Sequence, residues 1–90
     1  MIQALNDVII IGSGPAGLTA SIYCLRSQMK TLLLAGRAPG GQLMLTTLVE
    51  NFPGFPNGVQ GPELMQRMRD QSLGLGLEIV DKAVVKIEVE

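Results

Sequence analysis

The feature that most constrains the fold is the glycine-rich hexapeptide GSGPAG at residues 12–17. The short β-branched run at 7–11 (DVIII) precedes it, as is typical of a strand buried on both faces of a parallel sheet. Pro15 suits a first helical position, and good helix formers continue to about Ser27. A second apolar strand is predicted over 31–35. Together these segments have the length of a strand–helix–strand unit, about 30 residues, with a right-handed crossover.

The three glycines of the hexapeptide match the requirements of a dinucleotide-binding turn. Gly12 would make the tight turn, Gly14 would let the backbone approach a pyrophosphate, and Gly17 would pack the helix onto the strand. The helix N-terminus then offers free N–H groups and a positive dipole end to the phosphates. The pattern therefore predicts dinucleotide binding, and the alternative is a glycine-rich turn without a ligand.

The end of the second strand leaves the choice of dinucleotide open. An acidic residue that would hold a ribose hydroxyl is expected there, but Ala35 occupies the position, followed by Gly36 and Arg37. Arg37 indicates either the 2′-phosphate of NADP or an ordinary solvated loop cation.

The first helix carries small residues at helical spacing. They are Gly17, Ala20, Ser21 and Cys24. Such a face predicts close packing against the sheet. Cys24 is expected in the core and not at a redox centre, because no second cysteine or basic partner is near it in sequence. Tyr23 is expected on the helix surface or in an interface.

The second half of the chain begins with a turn-rich stretch at 36–61, longer than a structural connection needs. A helix is predicted from Pro62 to about Leu73, ended by Gly74. Strands are predicted at 77–80 and, with alternating pattern, at 83–89. The helix has an apolar stripe of Leu64, Met65 and Met68, with Glu63, Arg67 and Asp70 facing solvent.

Composition bounds the class of protein. Hydrophobic residues make up 47% and charged residues 17%, against about 25% charged in average soluble domains. A chain of 90 residues cannot bury so much apolar surface, so we expect further chain, a partner or a cofactor to cover part of it. A net charge of −1 gives no footprint for nucleic acid or an anionic membrane.

Several other features narrow the prediction. The chain has no apolar run long enough to span a membrane, and its N-terminus carries an acidic residue where a signal peptide would be basic. With one cysteine and no histidine, we expect no internal disulfide and no zinc or iron–sulfur site, which fits a reducing cytoplasm.

Four sequence blocks together carry a family resemblance. They are GSGPAG at 12–17, PGGQL at 39–43, VENFPGFP at 49–56 and GPELM at 61–65. Their order and spacing resemble those of the thioredoxin reductases, which are FAD-dependent pyridine nucleotide-disulfide oxidoreductases. The resemblance covers about 7–90. GSGPAG is shared by many flavoproteins, whereas the combination of GGQL with ENFPGFP is specific.

The resemblance implies an α/β fold, an incomplete Rossmann-like FAD-binding domain, and a set of FAD-binding positions. Around the pyrophosphate these are Gly12, Ser13, Gly14, Pro15 and Ala16; near the ribose, Ala35 and Gly36; at the ribityl chain and flavin, Gly40, Gly41, Gln42 and Leu43; elsewhere on FAD, Asn51 and, at the adenine, the backbone of Val84. Ala35 stands where an acidic residue is expected. This difference affects only the ribose contact, and the position is variable in the family. Two adjacent glycines also favour close approach of N–H groups to a ligand.

The resemblance further implies the activity of an oxidoreductase in redox homeostasis. Family members pass electrons from NADPH through FAD to a thioredoxin disulfide, using an NADPH domain and a C-x-x-C pair that these residues lack. Residues 1–90 are therefore expected to be the N-terminal part of the FAD domain, catalytically incomplete alone, in a cytoplasmic homodimer with thioredoxin as partner and no nucleic acid or membrane. Two alternatives remain: a related ferredoxin- or peroxiredoxin-linked flavoprotein, and a non-catalytic nucleotide-binding module that docks through its sheet edge.

Overall fold

The main element of the computed structural model, which describes residues 5–36, 40–45 and 47–88, is a three-stranded parallel sheet. Its strands are β1 (Val8–Ile11), β2 (Thr31–Leu34) and β5 (Glu78–Val80), in the order β1-β2-β5. Helix α1 (Pro15–Arg26) connects the first two strands, and helix α2 (Gly61–Gly74) precedes the third. The predicted helices and the first three predicted strands are confirmed, with bounds that differ by about one residue.

Parallel pairing places β1 and β2 in full register, from Val8 opposite Thr31 to Ile11 opposite Leu34. The Asp7 carboxylate accepts a hydrogen bond from the Lys30 N–H at 2.8 Å and so ties the start of one strand to the start of the other. The predicted parallel strand–helix–strand unit is therefore present.

The core lies on one face of the sheet, beneath the two helices, which pack against each other. Its buried members are Leu18, Leu33, Ala35, Val49, Val59, Leu64, Met65, Met68 and Leu77. The predicted apolar stripe of α2 is thus confirmed. On the opposite side of that helix, Arg67 Nη2 lies 3.0 Å from Glu63 Oε1 in the predicted exposed pair.

The other face of the sheet is open among the described residues, so the prediction that β1 is buried on both faces is wrong. Ile9 and Ile11 are 55% and 53% exposed, while Ile10 between them packs against the core. The register puts Leu32 and Leu34 of β2 beside them, both only partly buried. An apolar face therefore remains uncovered, as the composition predicted.

The small-residue face of α1 packs against the sheet only in part. Ser21 is fully buried, but Ala20 is exposed and Cys24, a free thiol, is only partly buried. The Ser21 hydroxyl donates to the Leu18 carbonyl at 2.6 Å and lies 3.1 Å from Ser72 Oγ on α2. Part of this face is therefore a helix–helix contact, because α2 packs beside α1. Tyr23, as predicted, is on the surface, at 72% exposure.

The turn-rich stretch contains regular structure that the sequence pattern does not reveal. A 3₁₀ helix spans Gly41–Leu45, and a hairpin pairs β3 (Leu48–Val49) with β4 (Val59–Gln60) in antiparallel register. Within the hairpin Val49 lies opposite Val59, and both are buried.

The predicted strand at 83–89 is not observed: residues 81–88 form no strand with the described part of the chain, and Val89 lies outside it. Val85 and Ile87 are 90% and 68% exposed. The Gly36 N–H donates to the Lys82 carbonyl at 3.2 Å and extends the β2–β5 pairing a short way. Beyond this bond, no strand of the described chain lies beside the segment, and a strand forms only where a neighbour pairs with its backbone.

Neither helix among the described residues has the length and apolar character needed to cross a membrane.

Candidate functional site

The glycine turn between β1 and α1 has the geometry predicted for Gly12 and Gly17, a tight turn and a close contact between helix and strand. Gly12 has φ +110°, a conformation that favours glycine, and its N–H donates to the Leu34 carbonyl at 2.9 Å. A Cβ at Gly17 would overlap the Gly12 carbonyl oxygen and approach the side chain of Ile10. The start of α1 therefore lies directly against the end of β1, which is possible only without a side chain at Gly17.

The N-terminus of α1 presents unpaired donors. Gly14 is the N-cap residue, and within the described chain no side chain caps the helix and no acidic residue stands in its first turn. The Leu18 N–H is the first to bond back, to the Gly14 carbonyl at 3.1 Å. Pro15 has no N–H, so within the described part of the chain the N–H groups of Gly14, Ala16 and Gly17 are the donors without a partner at this end. Together with the helix dipole they favour an anion.

The glycine loop at 40–41 faces this helix start. A Cβ at Gly41 would stand 3.1 Å from the Gly14 Cα. Gly40 and Gly41 both have positive φ, at +97° and +64°. The predicted pyrophosphate segment and the predicted ribityl–flavin segment therefore meet backbone to backbone, and we call the surface formed by residues 12–16 and 40–41 the glycine cradle.

Ser13 connects the parts of this cradle. The residue is buried, with 5% exposure. The hydroxyl donates to the Ala35 carbonyl at 3.1 Å and accepts the Gly40 N–H at 2.9 Å. The Ser13 hydroxyl thus links three predicted site residues from separate segments by hydrogen bonds.

The predicted ribose and adenine positions lie at the same end of the sheet. The Ala35 N–H donates to the Val80 carbonyl at 2.8 Å, and Gly36 bonds to Lys82. Val84, two residues further along, is partly buried. Arg37, which raised the question of NADP, lies outside the described residues, as does Pro39.

The remaining flavin-loop positions differ in exposure. Gln42 is exposed, whereas Leu43 packs against the core. Asn51 is exposed as well and lines a shallow depression formed by residues 50–56, between β3 and β4. The described contacts bring Ser13, Ala35 and Gly40 together and Gly14 next to Gly41, but they do not bring Asn51 to them.

Two aromatic side chains fix the loop that carries Asn51. Phe52 and Phe55 lie with ring centroids 6.2 Å apart, and both pack against the core. The Arg67 guanidinium lies 5.9 Å from the Phe55 ring centroid while it pairs with Glu63. The loop is therefore attached to α2.

A cavity of about 100 Å³ lies beside the cradle on the helix side. Ser13, Gly40 and Met44 form one wall, and α2 contributes Gln66 and Arg69 among others. Arg69 Nη2 is 3.3 Å from Asp81 Oδ2. Sequence reasoning missed this cavity, because its walls come from segments that no local pattern connects.

Comparisons with known proteins support the sequence resemblance. A family model described as pyridine nucleotide-disulphide oxidoreductase matches residues 6–90. A thioredoxin reductase from Mycolicibacterium smegmatis is 51% identical over 88 residues, which are 98% of this chain and 28% of that protein.

Solved structures give the same result. The thioredoxin reductase of Streptococcus pyogenes superposes with a TM-score of 0.91 at 39% identity, covering 99% of this chain and 29% of that one. That of Lactococcus lactis, in the FR conformation, has a TM-score of 0.79 at 51% identity, covering 86% and 25%. The predicted α/β, Rossmann-like fold is confirmed, and the chain spans 25% to 29% of the length of these proteins.

Proposed function

The chain belongs to the pyridine nucleotide-disulphide oxidoreductase family, and we propose that it binds FAD as the front part of a thioredoxin reductase. In this proposal residues 1–90 form the N-terminal part of the FAD-binding domain. An NADPH-binding domain and the rest of the FAD domain belong to further chain. The relatives, which are about three and a half times as long, support this division.

The observation that carries the proposal is the contact between Gly14 and Gly41. A Cβ on Gly41 would crowd the start of α1, where N–H groups without a side-chain cap and a helix dipole with no acidic residue in the first turn favour a phosphate. A pyrophosphate needs close approach of the backbone on this scale. The residues present therefore fit the central part of a dinucleotide such as FAD.

The proposed roles follow the positions in the fold. Residues 12–16 hold the pyrophosphate, Ala35 and Gly36 border the ribose, and Val84 lies at the adenine end. Residues 40–43 and Asn51 contact the ribityl chain and the flavin. FAD, when bound, supplies a flavin ring that takes up a hydride and passes electrons on. The residues of this chain bind and orient it.

The activity of the whole protein is proposed from the relatives. We propose that it moves electrons from NADPH through FAD to the disulfide of thioredoxin, as a cytoplasmic homodimer without membrane or nucleic-acid partners. Disulfide exchange requires a thiolate and a resolving thiol. Cys24, partly buried on α1, is the single cysteine of these 90 residues, so the cysteine pair must lie in further chain.

The test begins with the protein expressed from its complete reading frame. We expect it to purify with a flavin absorption spectrum and to release FAD on denaturation. We expect NADPH oxidation that depends on added thioredoxin. A protein that neither retains nor rebinds FAD would contradict the proposal. If the bound FAD is reduced by reduced ferredoxin but not by NADPH, the protein is instead the ferredoxin-linked relative.

A further inference from the structure

The hydroxyl of Ser13 has a task other than contact with phosphate. We propose that Ser13 is a positioning residue that fixes the loop at Gly40 to the end of β2 and thereby sets the width of the glycine cradle. This inference deepens the proposed function, since the cradle is the surface on which FAD would lie.

Hydrogen-bond accounting at Ser13 leaves no free proton for a ligand. A serine hydroxyl has one proton to donate. That proton is directed to the Ala35 carbonyl at 3.1 Å, and a lone pair accepts the Gly40 N–H at 2.9 Å. With the side chain buried, a phosphate oxygen would receive a bond from Ser13 only through its backbone N–H.

The two partners of the hydroxyl belong to separate segments. The Ala35 N–H is bonded to the Val80 carbonyl at 2.8 Å, so Ala35 continues the pairing of β2 with β5. Gly40 has φ +97° and directly precedes the 3₁₀ helix Gly41–Leu45, and its N–H donates to the Ser13 hydroxyl. Ser13 therefore links Gly40 to the end of the sheet through hydrogen bonds.

The position of Gly40 determines what the adjacent residue does. Gly41 faces Gly14, and a Cβ built on Gly41 would lie only 3.1 Å from the Gly14 Cα. A small displacement of Gly40 would therefore open or close the gap between the loop and the N-terminus of α1. The proposed pyrophosphate site lies beside this contact, at the N–H groups of the helix start.

The first experiment measures the Gly40 amide directly, in the protein expressed from its complete reading frame and freed of FAD. Hydrogen exchange is followed by mass spectrometry with fragmentation to single residues. Loss of one hydrogen bond in Ser13→Ala is expected to speed exchange at Gly40 by roughly 2- to 10-fold. Ser13→Thr, which keeps the hydroxyl and has the neighbouring cavity for its methyl group, should restore slow exchange.

The matched control is Ser72→Ala. Ser72 is also a fully buried serine, but it lies between the helices, within reach of Ser21 Oγ at 3.1 Å. Its loss should destabilise the protein without changing exchange at Gly40. Unchanged Gly40 exchange in Ser13→Ala would overturn the proposal, as would an equal acceleration in Ser72→Ala. If Ser13→Ala does not fold, Ser13→Cys replaces it with the same expectation, because a thiol is a weak hydrogen-bonding group.

A second readout uses the cofactor. In Ser13→Ala we expect weaker FAD binding, by about tenfold, together with an altered visible circular dichroism of the bound flavin, and recovery of both in Ser13→Thr. A different result would refute the positioning role: Ser13→Ala binds FAD more weakly, but its flavin dichroism and its Gly40 exchange equal those of the unsubstituted protein. Ser13 would then be a direct ligand of the phosphate. Because the exchange experiment needs no FAD, failure of FAD binding alone would contradict only the proposed function.

Discussion

Gly41 and Gly14, 27 residues apart in sequence, lie so close that a Cβ on Gly41 would be 3.1 Å from the Gly14 Cα. This is tighter than ordinary van der Waals contact, so a side chain would force the two backbones apart. Gly14 also lies at the proposed pyrophosphate site, and Gly41 belongs to the segment proposed to contact the ribityl chain and the flavin. A substitution that disturbs this contact should therefore affect both the packing of the two segments and the binding of the cofactor.

Gly41→Ala is expected to weaken FAD binding by about tenfold or more and to lower the free energy of unfolding by about 1–3 kcal/mol. Part of that cost is the strain of a non-glycine residue at φ +64°. Gly76→Ala is the matched control: Gly76 has φ +99°, and no described atom lies within 4 Å of its added Cβ. Equal FAD affinity in the two variants, measured by flavin fluorescence titration, would contradict the cradle.

Gly17→Ala tests the contact between helix and turn. The added methyl would overlap the Gly12 carbonyl oxygen, so α1 must move away from β1. We expect a loss of about 1–3 kcal/mol or more in unfolding free energy and little retained FAD. Gly74→Ala, in the last position of α2 with open space around it among the described residues, should instead stabilise by about 0.4–1 kcal/mol. Chemical denaturation followed by circular dichroism measures both, and a stable, FAD-loaded Gly17→Ala protein would refute the predicted overlap.

Local chemistry explains why much of the fold was predictable. Pro15 and Pro62 stand in the first turns of the two helices, and Gly74 is the last residue of the second. The β-branched run before Gly12 forms β1. Each of these signals acts within a few residues, so neither tertiary contact nor a partner is needed to read it.

The failures share a different origin. The alternating pattern at 83–89 predicts a strand, but alternation forms one only beside a pairing partner, and the described part of the chain supplies none. The hairpin strands Leu48–Val49 and Val59–Gln60 are too short to show a period. The bonds of Ser13 reach residues 22 and 27 positions away, and a serine between two glycines does not show where its hydroxyl points.

The serine pair between the helices makes a separate prediction. Ser21 donates to the Leu18 carbonyl at 2.6 Å, whereas Ser72 Oγ is 3.4 Å from the same oxygen. Ser21→Ala should therefore lower the unfolding free energy by about 1–2 kcal/mol and Ser72→Ala by less, because Ser21 keeps its shorter bond in the second variant. Neither should alter the affinity for FAD. The opposite ranking in urea denaturation would show that the Ser72 bond is the stronger one.

The open face of the sheet gives the last prediction. Ile9 and Ile11 are each more than half exposed beside Leu32 and Leu34, an apolar surface of the kind that proteins cover. In the protein expressed from its complete reading frame we expect this face to be buried. Ile11→Lys should then cost more than about 2 kcal/mol of unfolding free energy, because a charge would enter an apolar contact. Thr19→Lys, which adds the same charge at an exposed position of α1, should cost less than about 0.5 kcal/mol. Equal stabilities of the two variants in guanidinium denaturation would mean that the Ile11 side of the sheet stays in water.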